Sequence, residues 1–70
     1  MFKIDNCRYK IDGASLRTAR KRLGIDQDIF AGRCGWSPAY QCRIESGDVE
    51  IVIEKTKNII ERVLREARPL

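Results

Sequence analysis

The stretch Gly35–Gly47, GWSPAYQCRIESG, decides the fold. It opens on a glycine, passes through Trp36 to Ser37-Pro38, and then runs with helical composition to a second glycine. Gly35 is the residue type that closes a helix in a left-handed conformation. Ser37 is an N-cap type, and Pro38 falls on the first helical position, where its missing N–H costs nothing. The chain therefore stops one helix and restarts another within three residues. On the restarted helix Ile44 faces inward, and so does Gln41, an amide that costs stability when buried without a hydrogen-bond partner.

Working back from Gly35, Asp26 is placed to cap a helix with Asp28 in its first turn. Ile29, Phe30 and Ala31 supply the inner side of that helix, and Cys34 ends it. Before it, Asp12-Gly13-Ala14-Ser15 starts a helix whose apolar stripe is Leu16, Ala19 and Leu23, with Gly24 as its stop. Arg17, Arg20, Lys21 and Arg22 share the rest of that helix. The N-terminal FKIDNCRYKI (2–11) alternates loosely around Asp5-Asn6 and fits either a short hairpin with an Asx turn or an extended arm.

Working forward from Gly47, Asp48 can cap a fourth helix. Val49, Val52, Ile53, Thr56, Ile60, Val63, Leu64 and Ala67 form a wide stripe out to Pro69, and Glu61 with Arg65 makes an i, i+4 pair. The segment VEIVI (49–53) is β-branched and alternates, so a short strand competes there; the longer 3.6-residue period favours helix. The expected fold is all-α, a small helix-turn-helix domain of four to five helices. It divides into an arm or hairpin (1–12), a helix-turn-helix core (13–47) and a C-terminal helix (48–70) suited to dimerisation, all in one domain.

Composition agrees with a soluble globular domain. The 70 residues are 43% hydrophobic and 34% charged, and the net charge is +4. Residues 1–47 hold 9 Lys/Arg against 5 Asp/Glu, whereas 48–70 hold 5 against 5, so the excess lies in the first two thirds and favours a polyanionic partner there. The longest aliphatic run, Ile51-Val52-Ile53, is far too short to span a membrane, and the charged N-terminus has no signal-peptide core. A cytoplasmic protein is expected. Three cysteines (Cys7, Cys34, Cys42) and no histidine argue against a disulfide framework or a metal site. Cys34 reads as apolar filler and Cys42 as a half-exposed thiol open to redox chemistry. No catalytic set, glycine-rich phosphate loop or small-molecule site is visible, so neither enzyme activity nor a cofactor is expected.

Residues 16–47, LRTARKRLGIDQDIFAGRCGWSPAYQCRIESG, resemble the Cro/repressor-type (XRE-like) helix-turn-helix family of phage and bacterial regulators, of which lambda repressor gives the fold its name. The matching residues are Leu16-Arg17-x-x-Arg20, Gly24, Gln27, Ala31, Gly35, Ser37 and Arg43-Ile44-Glu45-x-Gly47. The resemblance implies a transcription regulator, repressor-like and of phage or other mobile-element type, that binds double-stranded DNA as a homodimer. It implies that Gln27 meets a phosphate and that helix 37–46, starting at Ser37, enters the major groove. Pro38, Ala39 and Arg43 then face bases, and Tyr40 lies near the DNA backbone. Arg20 and Glu45 match an ion pair tying the first helix to the third; taken as partly exposed, such a pair is worth about 1 kcal/mol or less.

Arg43 suits guanine O6 and N7, although a solvated helix charge is its ordinary role; Pro38 and Ala39 can only touch a thymine methyl. Two departures from the family pattern matter: Gln41 replaces an aliphatic residue, and the loop after Gly47 carries Asp48 and Glu50, acidic where a phosphate would approach. They leave room for an alternative, a helix-turn-helix protein-interaction module that does not bind DNA. Ile51 and Ile59, which lie outside the main stripe, are candidates for a dimer interface.

Overall fold

A computed structural model describes residues 2–5 and 7–67. The element order is β1 (Phe2–Lys3), β2 (Arg8–Lys10), α1 (Gly13–Arg22), α2 (Gln27–Cys34), α3 (Pro38–Ser46), β3 (Ile51–Ile53) and α4 (Glu54–Glu66). The strands form one antiparallel sheet in the order β1-β2-β3. The fold is therefore a helix–sheet mixture and not all-α.

Two local causes produce the sheet. Asp5 closes the N-terminal segment as a hairpin: its Oδ1 accepts from the amides of Cys7 (3.0 Å) and Arg8 (2.9 Å), and its Oδ2 accepts from Arg8 Nε at 2.7 Å. The Cys7 amide, then the Arg8 side chain and, less strongly, the Arg8 amide hold the Asp5 carboxyl down at about 2. The hairpin then offers β2 as a partner for 51–53. The pairing is Arg8 with Ile53, Tyr9 with Val52, and Lys10 with Ile51.

The expected helix beginning near Asp48 is thus corrected. Residues 51–53 are a strand, α4 starts at Glu54, and Ile53 occupies its N-cap position without a side-chain cap bond. The apolar stripe could not decide this, because Val52 is buried in either reading. Ile53 does decide it: it lies 55% exposed on the outer face of the sheet. Within α4, Glu61 meets Lys57 (3.1 Å), and Arg62 pairs with Glu66 (3.3 Å); Glu61–Arg65 is not among the ion pairs of the described residues. Pro69 lies outside the described residues.

The core is shared by every helix and the sheet. Ile11, Leu16, Phe30, Cys34, Ile44, Val52, Ile60 and Val63 form one buried cluster. Burying side chains such as Phe30, Ile44 and Ile60 contributes about 1.5–3 kcal/mol each. Ile29 does not join them and is 49% exposed, contrary to its expected inner position. Gly13 shows how tightly α1 meets α3: a Cβ there would collide with the carbonyl oxygen of Ile44 and lie 2.8 Å from that of Glu45.

Candidate nucleic-acid interface

α2 closes as its sequence requires. Gly35 takes φ +90°, and the amides of Gly35 (2.9 Å) and Trp36 (3.1 Å) both donate to the Ala31 carbonyl. Ser37 then caps α3, its hydroxyl accepting from the Tyr40 amide at 3.2 Å, with Pro38 in the first turn. Gly47 ends α3 with φ +94°. The chain folds back so that the Val49 amide donates to the Arg43 carbonyl at 3.1 Å.

The inner side of α3 is organised around Gln41, which is 0% exposed. Its Oε1 accepts from Trp36 Nε1 at 2.9 Å, and its Nε2 donates to Glu45 Oε2 at 2.7 Å. Glu45 in turn accepts from Arg20 twice, Nε to Oε2 at 2.9 Å and Nη2 to Oε1 at 3.0 Å. Arg20 Nη1 donates to the Ile25 carbonyl at 2.8 Å, and Gln27 Nε2 donates to Glu45 Oε1 at 3.3 Å. Among the described residues, no buried side-chain nitrogen or oxygen lacks a partner.

A buried amide is tolerated here because both its ends are satisfied. The network joins α1, the loop at Ile25, α2 and α3 through one carboxylate. Burial pushes the Glu45 carboxyl up, but hydrogen bonds from Arg20, Gln41 and Gln27 and the Arg20 charge outweigh it and hold Glu45 below its ordinary value. The Arg20 and Glu45 side chains are only 9% and 3% exposed, so the pair is buried, not partly exposed.

With the inner face locked, the outer face of α3 presents Pro38, Ala39, Cys42, Arg43 and Ser46, all exposed, with Ser37 exposed just before them. Tyr40 is half-buried, edge-on to Trp36 with ring centroids 5.4 Å apart. Gln27 is half-buried and held by Glu45. Of the residues singled out from the sequence, Ser37, Pro38, Ala39 and Arg43 share the exposed face; Tyr40 and Gln27 border it; Arg20 and Glu45 lie beneath. Cys42 and Ser46 belong to the same face. Cys42 follows Ala39 by three residues and Ser46 follows Arg43 by three, and that helical spacing was the available signal.

Arg17, Lys21 and Arg22 on α1, Arg33 on α2 and Arg43 on α3 are exposed and enter no ion pair among the described residues. Asp48 and Glu50, also exposed, follow α3 on its C-terminal side. The described residues contain no cluster of three or more potential metal ligands, and no helix long and apolar enough to cross a membrane.

Comparison with protein-family models, with curated proteins and with solved structures finds no match to this chain.

Proposed function

We propose that the protein is a sequence-specific DNA-binding transcription regulator of the Cro/repressor type, repressor-like and dimeric on its site, with α3 in the major groove. The observation that carries this reading is the division of α3 into two faces. One is fixed by the buried Gln41–Glu45–Arg20 network, and the other is exposed and carries Arg43, which enters no ion pair among the described residues. A helix about 10–12 Å across fits a groove about 12 Å wide. Exposed Lys and Arg supply the counterion-release energy that holds a protein on a duplex. Neither catalysis nor a cofactor belongs to this reading.

Direct readout from α3 is sparse. Arg43 is the one charged side chain on the face, so part of the specificity falls to DNA shape. That sparseness, with acidic Asp48 and Glu50 beside the helix, supports the second reading, a protein-interaction module.

A salt titration on selected and random duplexes separates the two. In the DNA-binding reading, Arg43→Ala removes a base contact worth about 1–3 kcal/mol and relaxes preference at one base pair. Gln27→Ala weakens selected and random duplexes by similar factors and leaves the salt slope nearly unchanged, because Gln27 is neutral and phosphates look alike in every sequence. Absence of binding to any duplex at low salt supports the interaction module.

A further inference from the structure

Trp36 and Gln41 flank the start of α3. With Ser37 as N-cap and Pro38 first in the helix, Trp36 stands one residue before the cap and Gln41 fourth in the helix. Apolar residues at these two positions often pack together and fix the angle at which a chain enters its helix. Here a hydrogen bond takes the place of that packing, from Trp36 Nε1 to Gln41 Oε1 at 2.9 Å. Apolar contact has no preferred direction, whereas a hydrogen bond weakens steeply off its line. The bond therefore fixes how the indole is turned as well as where it sits.

Stability alone does not call for an amide at this position. The Arg20–Glu45 pair has two hydrogen bonds of its own. An aliphatic side chain would fill the space of Gln41 and bring no polar atom to satisfy. What Gln41 adds beyond packing is its hold on Trp36, and it is itself aligned by donating from Nε2 to Glu45.

The indole in turn meets Tyr40, edge-on, with the ring planes at 79°. Such a contact depends on the orientation of both rings. The Tyr40 hydroxyl makes no hydrogen bond among the described residues. Since no buried side-chain oxygen there lacks a partner, this hydroxyl is open to solvent. Tyr40 lies three residues from both Ser37 and Arg43, at the border of the exposed face of α3. The body of the ring is held, and its O–H donor is left free.

We propose that Gln41 is a positioning residue for DNA binding: through Trp36 it holds the Tyr40 ring in the orientation from which its hydroxyl donates to a backbone phosphate. The proposal rests on the DNA-binding reading. A side chain ordered in advance loses no rotamer freedom when its contact forms, a saving of roughly two- to tenfold in affinity. Phosphates are alike in every sequence, so the effect falls on random and selected duplexes alike.

The test measures affinity of the whole chain for one random-sequence duplex at low salt, below the melting temperature of each variant. Tyr40→Phe removes only the hydroxyl and should weaken binding about three- to tenfold. Gln41→Leu keeps the packing, deletes the bond to Trp36 and should weaken binding roughly two- to tenfold. The double variant should bind as Tyr40→Phe does, because ordering a ring that has lost its hydroxyl gains nothing. A merely structural role of Gln41 would act on α3 with or without that hydroxyl, and the two factors would multiply. If Gln41→Leu melts below the assay temperature, Trp36→Phe, which deletes the same bond from its donor side, takes its place.

A double variant clearly weaker than Tyr40→Phe overturns the proposal, and so does a Gln41→Leu protein that binds as wild type does. A Tyr40→Phe protein that binds as wild type does overturns it too, while leaving DNA binding intact. A wild type that binds no duplex overturns both.

Discussion

Replacing Glu45 with alanine removes the acceptor of Arg20 Nε and Nη2, of Gln41 Nε2 and of Gln27 Nε2 in one step. Arg20 keeps only the Ile25 carbonyl, and its side chain is 9% exposed, so a nearly unpaired cation stays buried. Breaking a buried pair from one side costs about 3–5 kcal/mol. For a domain of this size each kcal/mol moves Tm by about 4–8 °C, so a loss of at least 12 °C is expected. Arg20→Ala should cost less. Glu45 then retains the amides of Gln41 and Gln27 and can take up a proton. The double variant should cost clearly less than the sum, because once either partner is gone the other has lost its charge partner. Urea unfolding gives the three values, with the m-value checked for constancy. Single-variant costs below about 1 kcal/mol, the value for an exposed pair, or additive effects would refute the buried network.

Other outcomes are specific to single positions. Gly13→Ala should destabilise by about 1–3 kcal/mol by overpacking against the Ile44 carbonyl, whereas Gly32→Ala, with open space around its Cβ, should stabilise by up to about 1 kcal/mol; thermal melts give both signs. Native alkylation should modify Cys7 and Cys42 and spare Cys34, which is buried and whose thiol is pushed by that burial up to about 11. Because the Glu45 carboxyl is held below its ordinary value, its contribution is complete above the carboxylate range and lost as the pH falls through it. The stability difference between wild type and Glu45→Gln should therefore narrow on acidification from neutral pH in chemical denaturation series.

The middle of the chain was legible because its signals are local. Gly35, Ser37-Pro38 and Gly47 each act within one turn of their own position, and they place the ends of α2 and α3. The sheet was less legible, since a three-residue strand exists only when a partner is present, and β2 lies some forty residues before β3. Asp5 gave the hairpin a turn, but nothing local showed that 51–53 would pair with it. Gln41 was identified as an inward amide. What satisfies it is harder to read: Trp36 reaches it across the α3 cap, and Glu45, one turn on, is matched by the sequence pattern to Arg20 alone. The same carboxylate serves both, which explains how an amide takes an aliphatic position here.

The claim that the outer face of α3 enters DNA can be tested with the protein's own thiols. Cys42 lies on that face between Ala39 and Arg43, Cys7 follows the hairpin turn, and both are exposed. The alkylation rate of each is measured at low salt with and without a saturating random-sequence duplex. The account predicts strong slowing at Cys42, with Cys7 reacting at its free rate. Equal rates at Cys42 with and without duplex, or protection of Cys7 alone, would contradict it.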